Sequence, residues 1–248
     1  YLSDDYLATS TEVLMVPCNV STRYVTLAAD LLGNVVVGAY VGATIYTPAP
    51  SGLPKIFYSH NAGLGWSASD ATFGQGVSYI ATDYAGTWIA VTNGADTTIS
   101  GIPRLNRAPA EIWRSTDVGE TWTRVRQLSD GTHFGDNRGY RVWPGCIAVE
   151  TDRAGTWCVT CGLDIYRSTD NGLTWSIAKS LALAEYGDGF DSIDTDGNGV
   201  WLATTPYGYL VYPADPSTEV WRSTDNGATW SMAYKFPVKG DWADWLFG

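Results

Sequence analysis

The chain has 248 residues, a formal net charge of −11, and an aromatic content dominated by 12 tryptophans and 15 tyrosines. That length admits one large domain with a substantial core. The acidic balance argues against a nucleic-acid backbone as partner, and no apolar run approaches the ~20 residues a membrane helix requires.

Reading from the N-terminus, the first run with strand character covers 12–16, rich in Val, Leu and Met. A periodic region follows. Ala29-Asp30-Leu-Leu-Gly33, Thr82-Asp83-Tyr-Ala-Gly86, Thr151-Asp152-Arg-Ala-Gly155 and Thr195-Asp196-Gly-Asn-Gly199 are four copies of one turn, the last three followed two residues later by Trp88, Trp157 and Trp201. Runs rich in Val, Ile, Tyr and Trp flank them, at 24–28 and 35–40 in the first copy and 77–81 and 87–91 in the second. Such runs around an Asp-x-x-Gly turn read as β-hairpins, with glycine supplying a positive φ.

A second motif runs in phase with the first. Ser115-Thr-Asp117-Val-Gly119-Glu-Thr121-Trp122 recurs from Ser168 to Trp175 and from Ser223 to Trp230, with a degenerate copy from Ser59 to Trp66. A fixed period of this kind is one supersecondary unit repeated. Each unit then has four strands, predicted in the third unit over 146–149, 156–160, 164–168 and 174–178, with the eight-residue motif turning the chain between the last two. Its Ser and Asp can accept backbone N–H groups, its Gly permits the bend, and its Trp can pack over the turn as the outer strand opens. None of the copies sets a nucleophile beside a base, so the motif reads as structural.

Ser-x-Asp-x-Gly-x-Thr-Trp resembles the Asp-box, or bacterial neuraminidase repeat, of sialidase-like β-propellers. The resemblance covers about residues 20–236. It implies an all-β propeller of four-stranded antiparallel blades in a single domain over 1–248. Four units are complete. The termini, through 12–16 and 242–247, are expected to close a fifth blade, because an open ring leaves unpaired edges; four blades with terminal arms is the alternative. The first residue is Tyr rather than Met, which implies processing or truncation.

The four cysteines leave the compartment open. Cys146 and Cys161 fall opposite each other if Thr151 pairs with Thr156, which makes a cross-strand disulfide conceivable; buried free thiols are the preferred reading. Cys158 and Cys161 form a Cys-x-x-Cys within a strand, with only His60 and His133 elsewhere to complete a zinc site. Asp194-Thr-Asp196-Gly-Asn198-Gly199 resembles the opening of a calcium loop, but its twelfth position is Thr205 and the hairpin turn already accounts for its residues. The reading therefore calls for no metal and no cofactor.

Function is expected on the face opposite the repeated turns, where connections differ in length from unit to unit. The long segments 93–110, 127–145 and 205–218 carry Arg104, Arg138, Tyr140, Arg141, Trp143, Tyr207 and Tyr209, and 180–191 adds Tyr186. Rings beside guanidiniums suit the apolar face and hydroxyls of a sugar, and equally a protein interface. For an enzymatic relative, the sialidase resemblance implies an arginine triad, a Tyr–Glu nucleophile pair and an acid/base Asp. Arg23, Arg104, Arg141 and Tyr140 or Tyr186 supply the residue types, but no spacing joins them. Xyloglucan-cleaving propellers that resemble this chain are larger and set two acids in a cleft. No residue is assigned a catalytic role.

The expected function is a non-enzymatic module that binds a glycan or a protein through these loops on an extracellular or virion surface. The alternatives are a self-associating structural subunit of a virion or assembly, and a sialidase-like glycoside hydrolase. Neither nucleic acid nor membrane insertion enters the reading.

Overall fold

The computed structural model describes residues 22–41, 56–73, 76–92, 109–128, 145–182, 189–205 and 218–236. They form four antiparallel sheets, each built from four consecutive strands in chain order. The first comprises β1 (Thr22–Ala29), β2 (Val35–Val41), β3 (Ile56–Ser59) and β4 (Ser67–Ala68). The second has β5 (Val77–Thr82), β6 (Trp88–Thr92), β7 (Glu111–Ser115) and β8 (Thr123–Gln127). The third has β9 (Cys146–Thr151), β10 (Trp157–Cys161), β11 (Asp164–Ser168) and β12 (Ser176–Ser180). The fourth has β13 (Ser192–Thr195), β14 (Trp201–Thr204), β15 (Glu219–Ser223) and β16 (Ser231–Lys235). These are the all-β, four-stranded blades expected from the repeats. The terminal segments proposed to close a fifth blade lie outside the described residues.

First strands pack side by side in sequence, β1 on β5, β5 on β9 and β9 on β13. Second strands are covered on both faces: every residue of β6 and β10 is buried. That explains their near-continuous apolar runs. Outer strands alternate weakly and stay largely exposed.

Three hydrophobic clusters fill the three boundaries between blades. Val36, Val77, Trp88 and Trp122 join the first and second blades. Ile89, Val149, Trp157 and Trp175 join the second and third. Cys158, Ile193, Trp201 and Trp221 join the third and fourth. Trp88, Trp157 and Trp201 are fully buried at equivalent positions. An indole buries 150–250 Å², so each contributes at most about 4–6 kcal/mol of transfer free energy.

The eight-residue turns repeat atom for atom. Gly119 N donates to Ser115 Oγ at 2.9 Å, Thr121 N to Asp117 Oδ1 at 3.0 Å, and the Trp122 indole N–H to the Gly119 carbonyl at 3.0 Å. The same three bonds recur from Ser168 and from Ser223. Because Thr174 and Trp175 are held in the turn, β12 starts at Ser176, two residues later than expected.

Cys146 and Cys161 are disulfide-bonded, which corrects the preference for free thiols. The inferred register was one residue off, since Thr151 faces Trp157. A bulge between Thr160 and Cys161 restores the cysteine pairing. Cys158, pointing the other way from the same strand, is a buried free thiol whose pKa burial pushes up.

Candidate functional site

The residues expected to bind ligand, Arg104, Arg138, Tyr140, Arg141, Trp143, Tyr186, Tyr207 and Tyr209, lie outside the described residues. The site is therefore built from the strands that carry those loops and from the inner edges of the blades.

Three carboxylates start the third strands: Glu111, Asp164 and Glu219, all buried. Each is held within its own blade. Glu111 accepts the Trp113 indole N–H at 2.9 Å and pairs with Arg124 at 2.8 Å. Glu219 accepts the Trp221 indole N–H at 3.2 Å and pairs with Lys235 at 3.3 Å. Asp164 accepts the Ser180 hydroxyl. These bonds tie the third strand to the fourth, and leave the acids little freedom for chemistry.

The inner strands carry a different set. Glu150 on β9 and Asp194 on β13 occupy the same place in successive repeats, two residues before the turn Asp152 and Asp196. Both are oriented alike: Glu150 Oε1 accepts the Thr151 N–H at 2.9 Å, and Asp194 Oδ1 accepts the Thr195 N–H at 2.8 Å. Burial raises the Glu150 carboxyl above its usual range; the Asp194 charge adds to this, while the Thr151 N–H and Arg153 oppose it. Tyr79 on β5, 41% exposed, joins the group. Its phenol is raised by burial and then by the charges of Glu150 and Asp194. Thus three neighbouring inner strands bring two carboxylates and a phenol within electrostatic reach, one acid half-buried and the other exposed.

Two acids in unlike surroundings are what general acid–base chemistry uses. The shielded one, Glu150, keeps its proton to higher pH than a free carboxylate. Sequence reasoning passed over this group because it searched the loops. The signal was present in the repeat alignment, where Glu150-Thr-Asp152 and Asp194-Thr-Asp196 place acids where the other units have Ala28 and Ala81.

The loop from Asp194 to Gly199 is an ordinary member of the hairpin-turn series. Asp196 Oδ1 accepts the Asn198 and Val200 N–H groups at 2.8 and 3.0 Å, as Asp152 Oδ1 accepts those of Ala154 and Thr156 at 2.7 and 2.8 Å. Among the described residues no three His, Cys, Asp or Glu side chains converge in a way that could hold a metal ion. Nor is any helix there long and apolar enough to cross a membrane.

No family model matches the chain. Xyloglucanase Xgh74A of Acetivibrio thermocellus is 33% identical over 133 residues, covering 48% of this chain and 15% of that enzyme. A xyloglucanase of a Paenibacillus species is 30% identical over 134 residues, covering 48% and 13%. The chain thus matches a minor part of these relatives' length. Among solved structures, an ancestral GH74 enzyme superposes with a TM-score of 0.56 at 18% identity, over 87% of this chain and 26% of that one, a likeness of fold. These findings correct the expectation of a non-enzymatic recognition module: the named sequence relatives are glycoside hydrolases. Over about half its length the chain is similar in sequence to these two xyloglucanases.

Proposed function

We propose that this chain is a propeller of a secreted glycoside hydrolase that acts on xyloglucan, with Glu150 and Asp194 as its pair of carboxylates. The observation that carries the reading is the sequence identity to two xyloglucanases. The unequal surroundings of the two acids on adjacent blades agree with it.

In this reading the protonated Glu150 gives its proton to the glycosidic oxygen as the bond from that oxygen to the anomeric carbon breaks. Asp194 takes a proton from a water whose hydroxyl adds to the anomeric carbon, so the products are two shorter saccharides. Two carboxyl groups flanking the scissile bond are the usual equipment for this reaction. The disulfide between Cys146 and Cys161 suits an oxidising compartment and supports secretion.

Release of reducing ends from xyloglucan tests the reading. Glu150→Gln and Asp194→Asn should each lower kcat at least ~100-fold. Rates unchanged by both carboxylate substitutions would overturn the assignment.

A further inference from the structure

Two neighbouring hairpin turns hold a side chain where the backbone favours glycine. Tyr84 in the second blade and Arg153 in the third both have a φ of 61°. The fourth blade places Gly197 there, at φ 73°. In each turn the residue's N–H donates to the hydroxyl of the threonine two positions earlier, at 3.2 Å for Thr82, 3.0 Å for Thr151 and 3.1 Å for Thr195. The left-handed backbone is therefore built into the turn, and a large side chain on it carries strain that glycine avoids.

The two strained residues meet across the boundary between the second and third blades. The Arg153 guanidinium lies 4.4 Å from the centroid of the Tyr84 ring, within the range of a cation–π contact. Among the described residues no hydrogen bond or ion pair engages that guanidinium.

Glu150 hangs on the same turn as Arg153. Its Oε1 accepts the Thr151 N–H at 2.9 Å, while Thr151 Oγ1 accepts the Arg153 N–H at 3.0 Å. One threonine thus holds the acid by its backbone and the arginine by its hydroxyl. The two opposite charges sit three residues apart and still form no ion pair. Other groups facing Glu150 are Asp194 on β13, Tyr79 on β5 and Cys158, directly opposite on β10. None of them is a cation. Burial raises the Glu150 carboxyl, and the Arg153 charge opposes this only from a distance. An arginine in direct contact would keep the carboxylate ionised, which a proton donor cannot afford.

We propose that Tyr84 is a positioning residue whose ring holds the Arg153 guanidinium away from Glu150, so that the acid keeps the proton it donates. The inference rests on Glu150 being the proton donor of the proposed reaction. A cation–π contact and an exposed ion pair are similar in strength. Loss of the ring is therefore enough to release the guanidinium toward the carboxylate.

Titration of isotopically labelled glutamate carboxyls by NMR tests this, with the Glu150 signal assigned by its absence in Glu150→Gln. Tyr84→Gly copies the fourth blade, so the turn keeps its backbone. It should move the Glu150 midpoint to lower pH, whereas Tyr84→Phe should retain the wild-type midpoint. Arg153→Gln should move it to higher pH. Adding Tyr84→Gly to Arg153→Gln should then change nothing, because the ring has no cation left to hold. The alkaline limb of xyloglucan hydrolysis should shift in the same order. A midpoint unmoved by Tyr84→Gly, or an equal downward shift in the absence of Arg153, would overturn the proposal. The expected titrations without any hydrolysis would overturn the enzymatic reading alone, and the hold of Tyr84 on Arg153 would stand.

Discussion

Asn226 Nδ2 donates to Thr156 Oγ1 at 2.8 Å across the boundary between the third and fourth blades. Its Oδ1 accepts the indole N–H of Trp201 at 2.8 Å, so one side chain ties its own blade's buried tryptophan to the previous blade's hairpin turn. Asn171 repeats the arrangement with Thr87 at 2.7 Å and Trp157 at 2.9 Å. In the second blade the position is Val118, and the buried Trp88 Nε1 has no acceptor. Val118 also holds a φ of 61°, where asparagine is far better tolerated than a β-branched residue. Val118→Asn should therefore stabilise the protein by about 1–2 kcal/mol, through the supplied hydrogen bond and the relieved backbone. Thermal unfolding should shift upward by roughly 2–8 °C, and an unchanged or lower Tm would refute the pairing.

Gly172 answers a separate question, whether the joint is limited by space or by backbone. Gly172→Ala places a methyl 2.6 Å from Ile89 Cδ1 at a φ of 80°. We expect a loss of about 3 kcal/mol, about 1 from the left-handed backbone and the rest from overpacking. In an Ile89→Val background, which removes Cδ1, the same substitution should cost only about 1 kcal/mol. Urea unfolding of the double-mutant cycle measures the coupling; additive costs would show that the two residues do not meet.

The turn aspartates should control the acid limb of stability. Burial works against the Asp170 carboxylate, yet bonds from Thr174 and Ser168 outweigh it and hold the pKa at about 2. Asp225 is lowered by Thr229 and Ser223, and Asp117 is lowered by Thr121 and Ser115 despite its burial. Folded values below the unfolded value of ~3.9 mean that the folded state binds fewer protons there. The stabilisation is complete above about pH 4 and is lost as pH falls through the folded values. Asn61 occupies the equivalent place in the first blade and accepts the Gly65 N–H without a charge. Replacing all three aspartates by Asn should therefore flatten the fall in Tm between about pH 4 and pH 2. An unaltered slope would place acid sensitivity elsewhere.

Reduction should cost the third blade a cross-link that closes a 15-residue separation. Cys146→Ser together with Cys161→Ser is expected to destabilise by about 3 kcal/mol. Cys158→Ser should not alter the response to reductant, since that thiol is free. Denaturant unfolding with and without dithiothreitol distinguishes the two; equal effects would contradict the pairing.

The fold was legible because a period is insensitive to small errors. Ser115, Ser168 and Ser223, with Gly119, Gly172 and Gly227, fix where each blade turns even though β12 begins two residues late. Register was less so: the bulge beside Cys161 follows from cross-strand fit, which residue types do not encode. Glu150 escaped notice, and Asp194 was weighed only as the start of a calcium-like loop, because nothing local marks them as a pair. They come within electrostatic reach of each other only because β9 and β13 are neighbours, and that is a property of the blade order.

The most direct test of the account is the initial rate of reducing-end release from xyloglucan across about pH 4–8, for the wild-type protein and Glu150→Gln. Burial raises the Glu150 carboxyl, so the account predicts hydrolysis that declines toward alkaline pH as this acid loses its proton. It also predicts near-complete loss of activity in the variant. No hydrolysis at any pH, or a variant with the wild-type rate and profile, would contradict it.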